Sequence, residues 1–160
     1  MIKLIVFDID GVLTDGKIYI DKDGNEIKVL RLTEIDAVNT LHRSGYLIAA
    51  LTGEATPITE YFKNRFPWDA FRTGCKDKAS GLKELADAFG LPLSEICYIG
   101  DGQYDIGAVA IAGLGVCPNN AIEEVRQAAK VVLKTCGGEG CVDELRMVLN
   151  ARQTMPSPCG

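Results

Sequence analysis

The amino-acid sequence predicts an α/β fold in which helices cover both faces of a doubly wound parallel sheet. Short apolar runs alternate with segments of helical periodicity along the 160 residues, and this βαβα order is typical of such sheets. The first run, residues 2–7, is almost continuously apolar, as expected for a central strand covered on both faces. The chain length and the 47% hydrophobic content fit one domain with a sizeable core.

The later elements follow the same two patterns. The other sheet strands are short apolar runs, predicted at residues 46–51, 68–71, 96–99, 113–117 and 130–133. The helices carry apolar side chains three and four residues apart, and are predicted at residues 33–43, 56–65, 78–89, 105–111, 120–128 and 140–152. Thr33 is a possible cap of the first helix, Pro57 occupies the first turn of the second, and Gly90 closes the third.

One segment interrupts the alternation of strands and helices. Residues 17–30 form two alternating apolar and polar stretches around Asp23-Gly24, which predicts a β-hairpin that projects from the loop after the first strand. Residues 154–160 lack a periodic apolar pattern and contain two prolines, so we expect a flexible tail after a single domain at residues 1–153.

Charge and cysteine content limit the class of protein. The net charge of −5 argues against a nucleic-acid or anionic membrane partner, since either requires clustered Lys and Arg. Carboxylates interrupt the apolar N-terminus before it could span a bilayer, so we expect a cytoplasmic protein. The six cysteines are scattered and are expected to be reduced thiols. Cys136 and Cys141, with the distant His42, cannot make a four-ligand zinc site.

Polar residues follow three of the predicted strands and begin one helix. Asp8 and Asp10 follow the first strand, Thr52 follows the second, Lys78 starts the third helix and Asp101 follows the fourth strand. Because ligands of open α/β sheets bind beyond the carboxyl ends of the strands, we expect these side chains to meet in one cleft. The two neighbouring carboxylates repel each other unless a cation lies between them, and Mg²⁺ prefers such oxygen ligands.

The same cleft has groups suited to a phosphate. Gly11 lets the backbone turn closely around an anion, Thr52 offers a hydroxyl donor and Lys78 offers a positive charge. Taken singly, each of these residues could be structural, and Lys76 is an alternative to Lys78.

Four motifs in this order resemble those of phosphatases of the haloacid dehalogenase superfamily. The motifs are residues 8–13, Thr52-Gly53, Lys78 and residues 100–105. The resemblance covers essentially the whole chain. It implies that Asp8 forms an aspartyl-phosphate, while Asp10 protonates the leaving oxygen and then activates the hydrolytic water. Such covalent catalysis splits one difficult step into two.

The resemblance also implies a magnesium site and a set of supporting residues. The Asp8 carboxylate, the Asp10 backbone carbonyl and Asp101 would hold Mg²⁺, with Asp105 supporting these ligands. Thr52, Gly53, Gly11 and Lys78 would bind the phosphoryl group. Tyr104 replaces an Asn that is frequent in the family, which alters the expected surroundings of Asp105.

Neither insertion point of the superfamily has room for a cap domain. Residues 16–33 contain only the hairpin, and the segment between Thr52 and Lys78 has room for one helix and one strand. The hairpin also presents Ile18, Ile20, Ile27 and Val29, an apolar surface that needs a partner. Oligomerisation could cover both the open cleft and the hairpin.

These features together look like the capless, tetrameric phosphatases of 2-keto-3-deoxy sugar acid phosphates. Glu54 after Thr-Gly resembles the branch that acts on nonulosonate 9-phosphates such as KDN-9-phosphate, whereas enzymes for 3-deoxy-manno-octulosonate 8-phosphate usually have Arg there. Gly102 departs from the Gly-Asp-Asp usual in the subfamily. Arg65 and Arg72 are candidates for recognition of the sugar carboxylate. A non-catalytic oligomerisation module of the same fold and a phosphotransferase are the competing hypotheses.

Overall fold

The structure is a computed structural model that describes residues 1–154, and it confirms the predicted alternation of strands and helices. The strands are β1 (Leu4–Phe7), β2 (Tyr19–Ile20), β3 (Glu26–Ile27), β4 (Leu47–Leu51), β5 (Ala70–Arg72), β6 (Ile96–Ile99), β7 (Leu114–Cys117) and β8 (Val131–Val132). The helices are α1 (Leu32–Arg43), α2 (Pro57–Arg65), α3 (Lys78–Phe89), α4 (Ile106–Ile111), α5 (Glu123–Ala128) and α6 (Cys141–Thr154).

The strands other than β2 and β3 form one parallel sheet in the order β5-β4-β1-β6-β7-β8. Strand β1 is central, and its Leu4 lies opposite Leu47 of β4 and Ile96 of β6. The chain builds outward from β1 in both directions, so the strand order reverses beside β1. This reversal opens a crevice at the carboxyl ends of β1, β4 and β6, where ligands of such sheets bind.

A separate hydrophobic core covers each face of the sheet. Ile5 and Phe7 of β1 face a core shared with α1, α2 and α6, whereas Leu4 and Val6 face a core shared with α3, α4 and α5. All four side chains are fully buried. Burial on both faces explains why β1 has a continuous apolar sequence rather than an alternating one.

Some element boundaries differ from the predictions. Helix α1 begins at Leu32 after Arg31, without a side-chain cap, so Thr33 lies inside the helix and its predicted capping role is wrong. Helix α2 begins with Pro57 in its first turn, as predicted, after Thr56, whose N–H donates to Thr59 Oγ1 at 3.1 Å. Helix α6 extends to Thr154; the rest of the predicted tail, residues 155–160, lies outside the described residues.

The predicted hairpin is present but short, with only two residues in each strand. Its apolar side chains face outward, and Ile20 is 71% exposed. Within residues 1–154, this hairpin and the segment of α2 and β5 occupy the two points at which a cap could be inserted. The cleft therefore has no cap domain in the described part of the chain.

Among residues 1–154, none of the helices combines the length and the apolar character that a membrane span requires. The cysteines of the same range are free thiols, as predicted, and Cys159 lies outside it.

Candidate active site

A cleft of about 280 Å³ lies at the carboxyl edge of the sheet, and most of the predicted site residues meet there. Its lining residues are Asp8, Asp10, Thr52, Gly53, Glu54, Lys76, Lys78, Gly102, Gln103, Tyr104 and Asp105. They converge because β1, β4 and β6 are parallel neighbours whose carboxyl ends share one edge.

A larger cavity of about 660 Å³ lies beside α1 and the start of α6, and none of the predicted site residues lines it. Its arginines already have acidic partners, since Arg31 contacts Glu139 and Arg146 contacts Asp143. The smaller cleft is the better candidate because its charged groups are buried and face one another.

Lys78 joins two buried carboxylates in the cleft. Its Nζ lies 2.6 Å from Oδ1 of Asp8 and 3.0 Å from Oδ1 of Asp105. The Asp8 Oδ1 also accepts a hydrogen bond from the Ile9 N–H, at 2.8 Å. Because Oδ1 makes both contacts, Oδ2 is the Asp8 oxygen left to react with a bound group. The structure thus brings Lys78, rather than Lys76, onto the predicted nucleophile.

Asp105 is held by donors on both of its oxygens. The Tyr98 hydroxyl donates to Oδ1 at 2.5 Å, and the N–H groups of Asp101 and Gly102 donate to Oδ2 at 3.0 and 2.9 Å. Tyr104 is more than half exposed and supplies none of these bonds. The presence of Tyr104 therefore does not weaken the hydrogen bonds that hold Asp105. Gly102 donates one of those bonds through its backbone N–H.

Burial and mutual repulsion alter the ionisation of the cleft carboxylates. Burial, followed by repulsion from Asp105, raises the pKa of Asp8 well above its usual range, although Lys78 opposes the change. The same two causes raise the pKa of Asp101 to about 6. Burial alone would lower the pKa of Lys78, but attraction by Asp8 and Asp105 outweighs it and the pKa is raised. One ammonium thus faces an excess of carboxylates.

The chemistry of this cluster fits a divalent cation. Carboxylate oxygens of Asp8, Asp101 and Asp105 lie within 4.8 Å of one another. Asp105 already accepts hydrogen bonds at both of its oxygens. The pKa of Asp101 is raised, and a nearby cation would lower it by stabilising the charged carboxylate. Asp8 and Asp101 are therefore the better ligands, and Asp105 is better suited to hold Lys78 and the loop after β6.

Gly11 is required by the close approach of Asp101. Its φ is +83°, in the left-handed region that favours glycine, and a Cβ there would overlap the Asp101 carboxylate. Its N–H donates to Thr14 Oγ1 at 3.2 Å, so a phosphate-binding role for Gly11 stays a prediction. A Cβ at Gly137 would in turn overlap the Gly11 carbonyl group. The loop after β8 therefore packs directly on the first motif.

The residues after β4 reach the cleft as predicted. Thr52 is buried, and its Oγ1 accepts the Glu54 N–H at 3.2 Å, which shapes the turn that also carries Gly53. Both Thr52 and Gly53 line the cleft beside Asp8. Glu54 lines it as well, so its side chain is available to a substrate.

The structure does not bring Arg65 or Arg72 into the cleft. Arg65 is the last residue of α2, and α2 runs back from the carboxyl edge of the sheet, so Arg65 lies at the far end of that helix. Arg72 pairs with Glu84 of α3 at 2.5 Å and borders a different surface pocket. Their predicted part in carboxylate recognition therefore has no support within one chain.

Two residues that contact the site were not predicted. Lys28 lies just after β3 and places its Nζ 2.8 Å from Oδ1 of Asp10. Tyr98 lies within β6 and holds Asp105. A polar side chain inside a buried strand is a signal for Tyr98, but the partner of Lys28 is 18 residues distant and depends on how the hairpin folds back.

Comparison with known proteins identifies relatives over nearly the whole chain. The family model described as haloacid dehalogenase-like hydrolase matches residues 20–145. The 3-deoxy-D-manno-octulosonate 8-phosphate phosphatase KdsC of Haemophilus influenzae is 30% identical, over 94% of this chain and 84% of the relative.

Solved structures agree with the fold. A 3-deoxy-D-manno-octulosonate 8-phosphate phosphatase from Moraxella catarrhalis, in complex with magnesium, phosphate and KDO, superimposes with a TM-score of 0.88 at 31% identity. The alignment covers 94% of this chain and 87% of that one. The cobalt-bound phosphatase from Haemophilus influenzae gives a TM-score of 0.87 at 30% identity, covering 95% and 90% of the two chains.

Proposed function

Because the chain belongs to the haloacid dehalogenase-like hydrolases, we propose that it is a magnesium-dependent phosphomonoesterase with Asp8 as nucleophile. The observation that carries the proposal is the contact between Lys78 and Asp8 at the carboxyl edge of the sheet. It leaves one Asp8 oxygen to attack and sets a positive charge beside the position of attack. Electrostatic stabilisation of this kind is the main requirement of phosphoryl transfer.

In the first half of the reaction, Oδ2 of Asp8 forms a bond to phosphorus while the bond to the ester oxygen breaks. The leaving alkoxide takes a proton from the Asp10 carboxyl group. Lys78 and the Thr52 hydroxyl stabilise the negative charge on the transferring oxygens. The products of this step are the free alcohol and an aspartyl-phosphate on Asp8.

In the second half, the ionised Asp10 carboxylate accepts a proton from a water molecule, whose oxygen attacks phosphorus. The bond between phosphorus and Asp8 breaks, which releases inorganic phosphate and restores both carboxyl groups to their starting forms. Asp10 lines the cleft, so it is available for both proton transfers.

Asp8, Asp101 and the backbone carbonyl of Asp10 are the proposed magnesium ligands. The ion, when bound, supplies positive charge to the carboxylates and to the phosphoryl oxygens. Two observations support this choice: the crowded carboxylates with raised pKa values, and the magnesium ion in the Moraxella relative.

The proposed substrate class is a 2-keto-3-deoxy sugar acid phosphate. The names of the relatives favour 3-deoxy-manno-octulosonate 8-phosphate. Glu54 in the cleft favours a nonulosonate 9-phosphate such as KDN-9-phosphate, because its carboxylate can accept hydrogen bonds from additional sugar hydroxyls. Measurement of kcat/KM on both substrates and on hexose phosphates distinguishes these possibilities, and equal values on all of them would refute the sugar acid assignment.

The exposed hairpin supports a homotetramer as the proposed assembly. Ile18, Ile20, Ile27 and Val29 are each at least half exposed, so the hairpin, which carries them on its two faces, leaves apolar surface open to a partner. A second copy of the chain would bury this surface and limit access of water to the cleft. Light scattering at micromolar concentration tests the assembly. A cytoplasmic location is part of the same proposal.

The competing hypothesis of a non-catalytic module predicts no phosphate release. We expect magnesium-dependent release of phosphate from p-nitrophenyl phosphate, and loss of this activity by at least about 10³-fold in Asp8→Asn. Asp87→Asn, an exposed substitution on α3, is the matched control and should retain activity. Full activity in Asp8→Asn would refute the mechanism, and product analysis with an added sugar acceptor separates hydrolysis from phosphoryl transfer.

A further inference from the structure

At residues 27–29, the end of β3 and the two residues after it, the charged side chain points inward and the two apolar side chains point to solvent. The Lys28 side chain is only 6% exposed, whereas its neighbours Ile27 and Val29 are 53% and 50% exposed. An exposed strand normally turns its lysines to water, because burying an ammonium is unfavourable unless a partner compensates it. The burial of Lys28 therefore depends on what it contacts.

The contact is the carboxylate of Asp10. Lys28 Nζ lies 2.8 Å from Asp10 Oδ1, and the Asp10 side chain is 32% exposed toward the cleft that it lines. Lys28 does not line the cleft. A substrate in the cleft would therefore contact Asp10 but not Lys28.

The base of the hairpin fixes the position of this ammonium. Leu30 pairs with Thr14 in an antiparallel bridge, and Leu30 packs against the core. Thr14 Oγ1 in turn accepts the N–H groups of Gly11 and Gly16, at 3.2 Å each. Lys28 is two residues before Leu30 and shares its inward face. The loop that carries Asp10 thus also anchors the segment that carries Lys28.

We propose that Lys28 is a positioning residue for the reaction, holding the Asp10 carboxyl group in the orientation needed for proton transfer. The proposal rests on the role of Asp10 in the proposed function. Because Lys28 binds Oδ1, the other oxygen, Oδ2, is directed to the leaving oxygen and then to the attacking water. Displacement of a reacting group by about 1 Å can cost about 10²-fold in rate, so an unheld Asp10 should react slowly.

The first experiment compares Lys28→Met, which keeps the length of the side chain without its charge, with Lys28→Arg. Lys22→Met is the control, because Lys22 lies on the same hairpin and is exposed. With 3-deoxy-manno-octulosonate 8-phosphate as substrate, we expect Lys28→Met to lower kcat by about 10- to 100-fold and to change KM by less than about threefold. Lys28→Arg should restore part of kcat, and Lys22→Met should match the wild type.

The leaving group provides a second readout. A p-nitrophenolate departs without protonation, whereas a sugar alkoxide requires a proton from Asp10. Lys28→Met should therefore lower kcat/KM, which reports only the first half of the reaction, less on p-nitrophenyl phosphate than on the sugar phosphate. A role of Lys28 in the stability of the fold alone would lower both activities equally, and that result would overturn the proposal.

A double-mutant cycle tests whether Lys28 acts through Asp10. In the Asp10→Asn background, adding Lys28→Met should change kcat by no more than about twofold, because there is no proton donor left to position. Losses that multiply would show that Lys28 acts elsewhere, which contradicts the proposal. If Lys28→Met fails to fold by circular dichroism, Lys28→Gln replaces it with the same expectations.

The two proposals can fail separately. A wild-type protein with no activity on any phosphomonoester refutes the proposed function. An active wild type whose kcat is unchanged in a folded Lys28→Met variant refutes the positioning role alone.

Discussion

Lys78 Nζ lies 2.6 Å from Asp8 Oδ1, and the two side chains are 4% and 10% exposed. The pair joins the start of α3 to the end of β1, two elements that are 70 residues apart along the chain. Asp105 contacts the same ammonium, so one positive charge faces two carboxylates in a site largely shielded from water. Such shielding strengthens the interaction of this charge with a transferring phosphoryl group.

Replacing Lys78 should remove this charge from the reaction. We expect Lys78→Met to lower kcat/KM for p-nitrophenyl phosphate by about 10²- to 10³-fold, the usual effect of losing one electrostatic stabiliser. Lys83→Met, on an exposed turn of the same helix, is the control. Steady-state kinetics at saturating Mg²⁺ measure the effect, and a loss of less than about threefold would contradict the assigned contact.

Tyr98 should affect both stability and rate through Asp105. Tyr98→Phe removes the hydroxyl that donates to Asp105 Oδ1. Because hydrogen bonds to charged groups contribute about 1.5–3 kcal/mol, the free energy of unfolding should fall by that order. We also expect kcat to fall by about 10-fold, since Lys78 loses part of its support. Urea denaturation and kinetics check both effects, with Tyr61→Phe on α2 as an exposed control; unchanged kcat would show that Asp105 is held adequately without Tyr98.

The raised pKa of Asp101 predicts a pH-dependent stability of the metal-free protein. The pKa is about 6 in the folded protein, above the ordinary value of 3.8, so between these values the folded state binds more protons than the unfolded state. Stability from this group is therefore greatest at low pH and declines as pH rises through about 6. Between pH 4.5 and 7.5, the free energy of unfolding of Asp101→Asn should gain about 2 kcal/mol relative to the wild type.

Denaturation in the presence of a chelator measures this difference for Asp101→Asn and for the control Asp87→Asn. Added Mg²⁺ should stabilise the wild type at pH 7.5 more than it stabilises Asp101→Asn. A difference between wild type and Asp101→Asn that does not vary with pH would argue against the raised pKa.

The hairpin should govern assembly. We expect the double variant Ile20→Asp/Ile27→Asp to lower the oligomeric state, because two carboxylates would be buried without partners in any interface formed there. Met147→Asp, at another exposed apolar side chain on α6, is the control. Size-exclusion chromatography with light scattering gives the mass of each species, and a wild-type monomer would remove the basis of the tetramer proposal.

The outline of the fold and most of the site could be predicted because both depend on local patterns. Asp8, Thr52 and Asp101 each follow an apolar strand, and parallel strands bring their carboxyl ends to one edge whatever the details of packing. Lys78 could be predicted in the same way, because it begins the helix that follows β5.

What only the tertiary structure decided concerns the direction of side chains. Arg65 and Arg72 have the right charge for an acidic substrate, but the direction of α2 carries Arg65 away from the cleft and Glu84 pairs with Arg72. Lys28 has no local signal of function, and only the fold of the hairpin brings it to Asp10. Sequence by itself determined which strand ends carry the chemistry, because strand order and helix periodicity are encoded locally. Tertiary structure decided which charges meet, because a contact between distant residues depends on packing that no short motif describes.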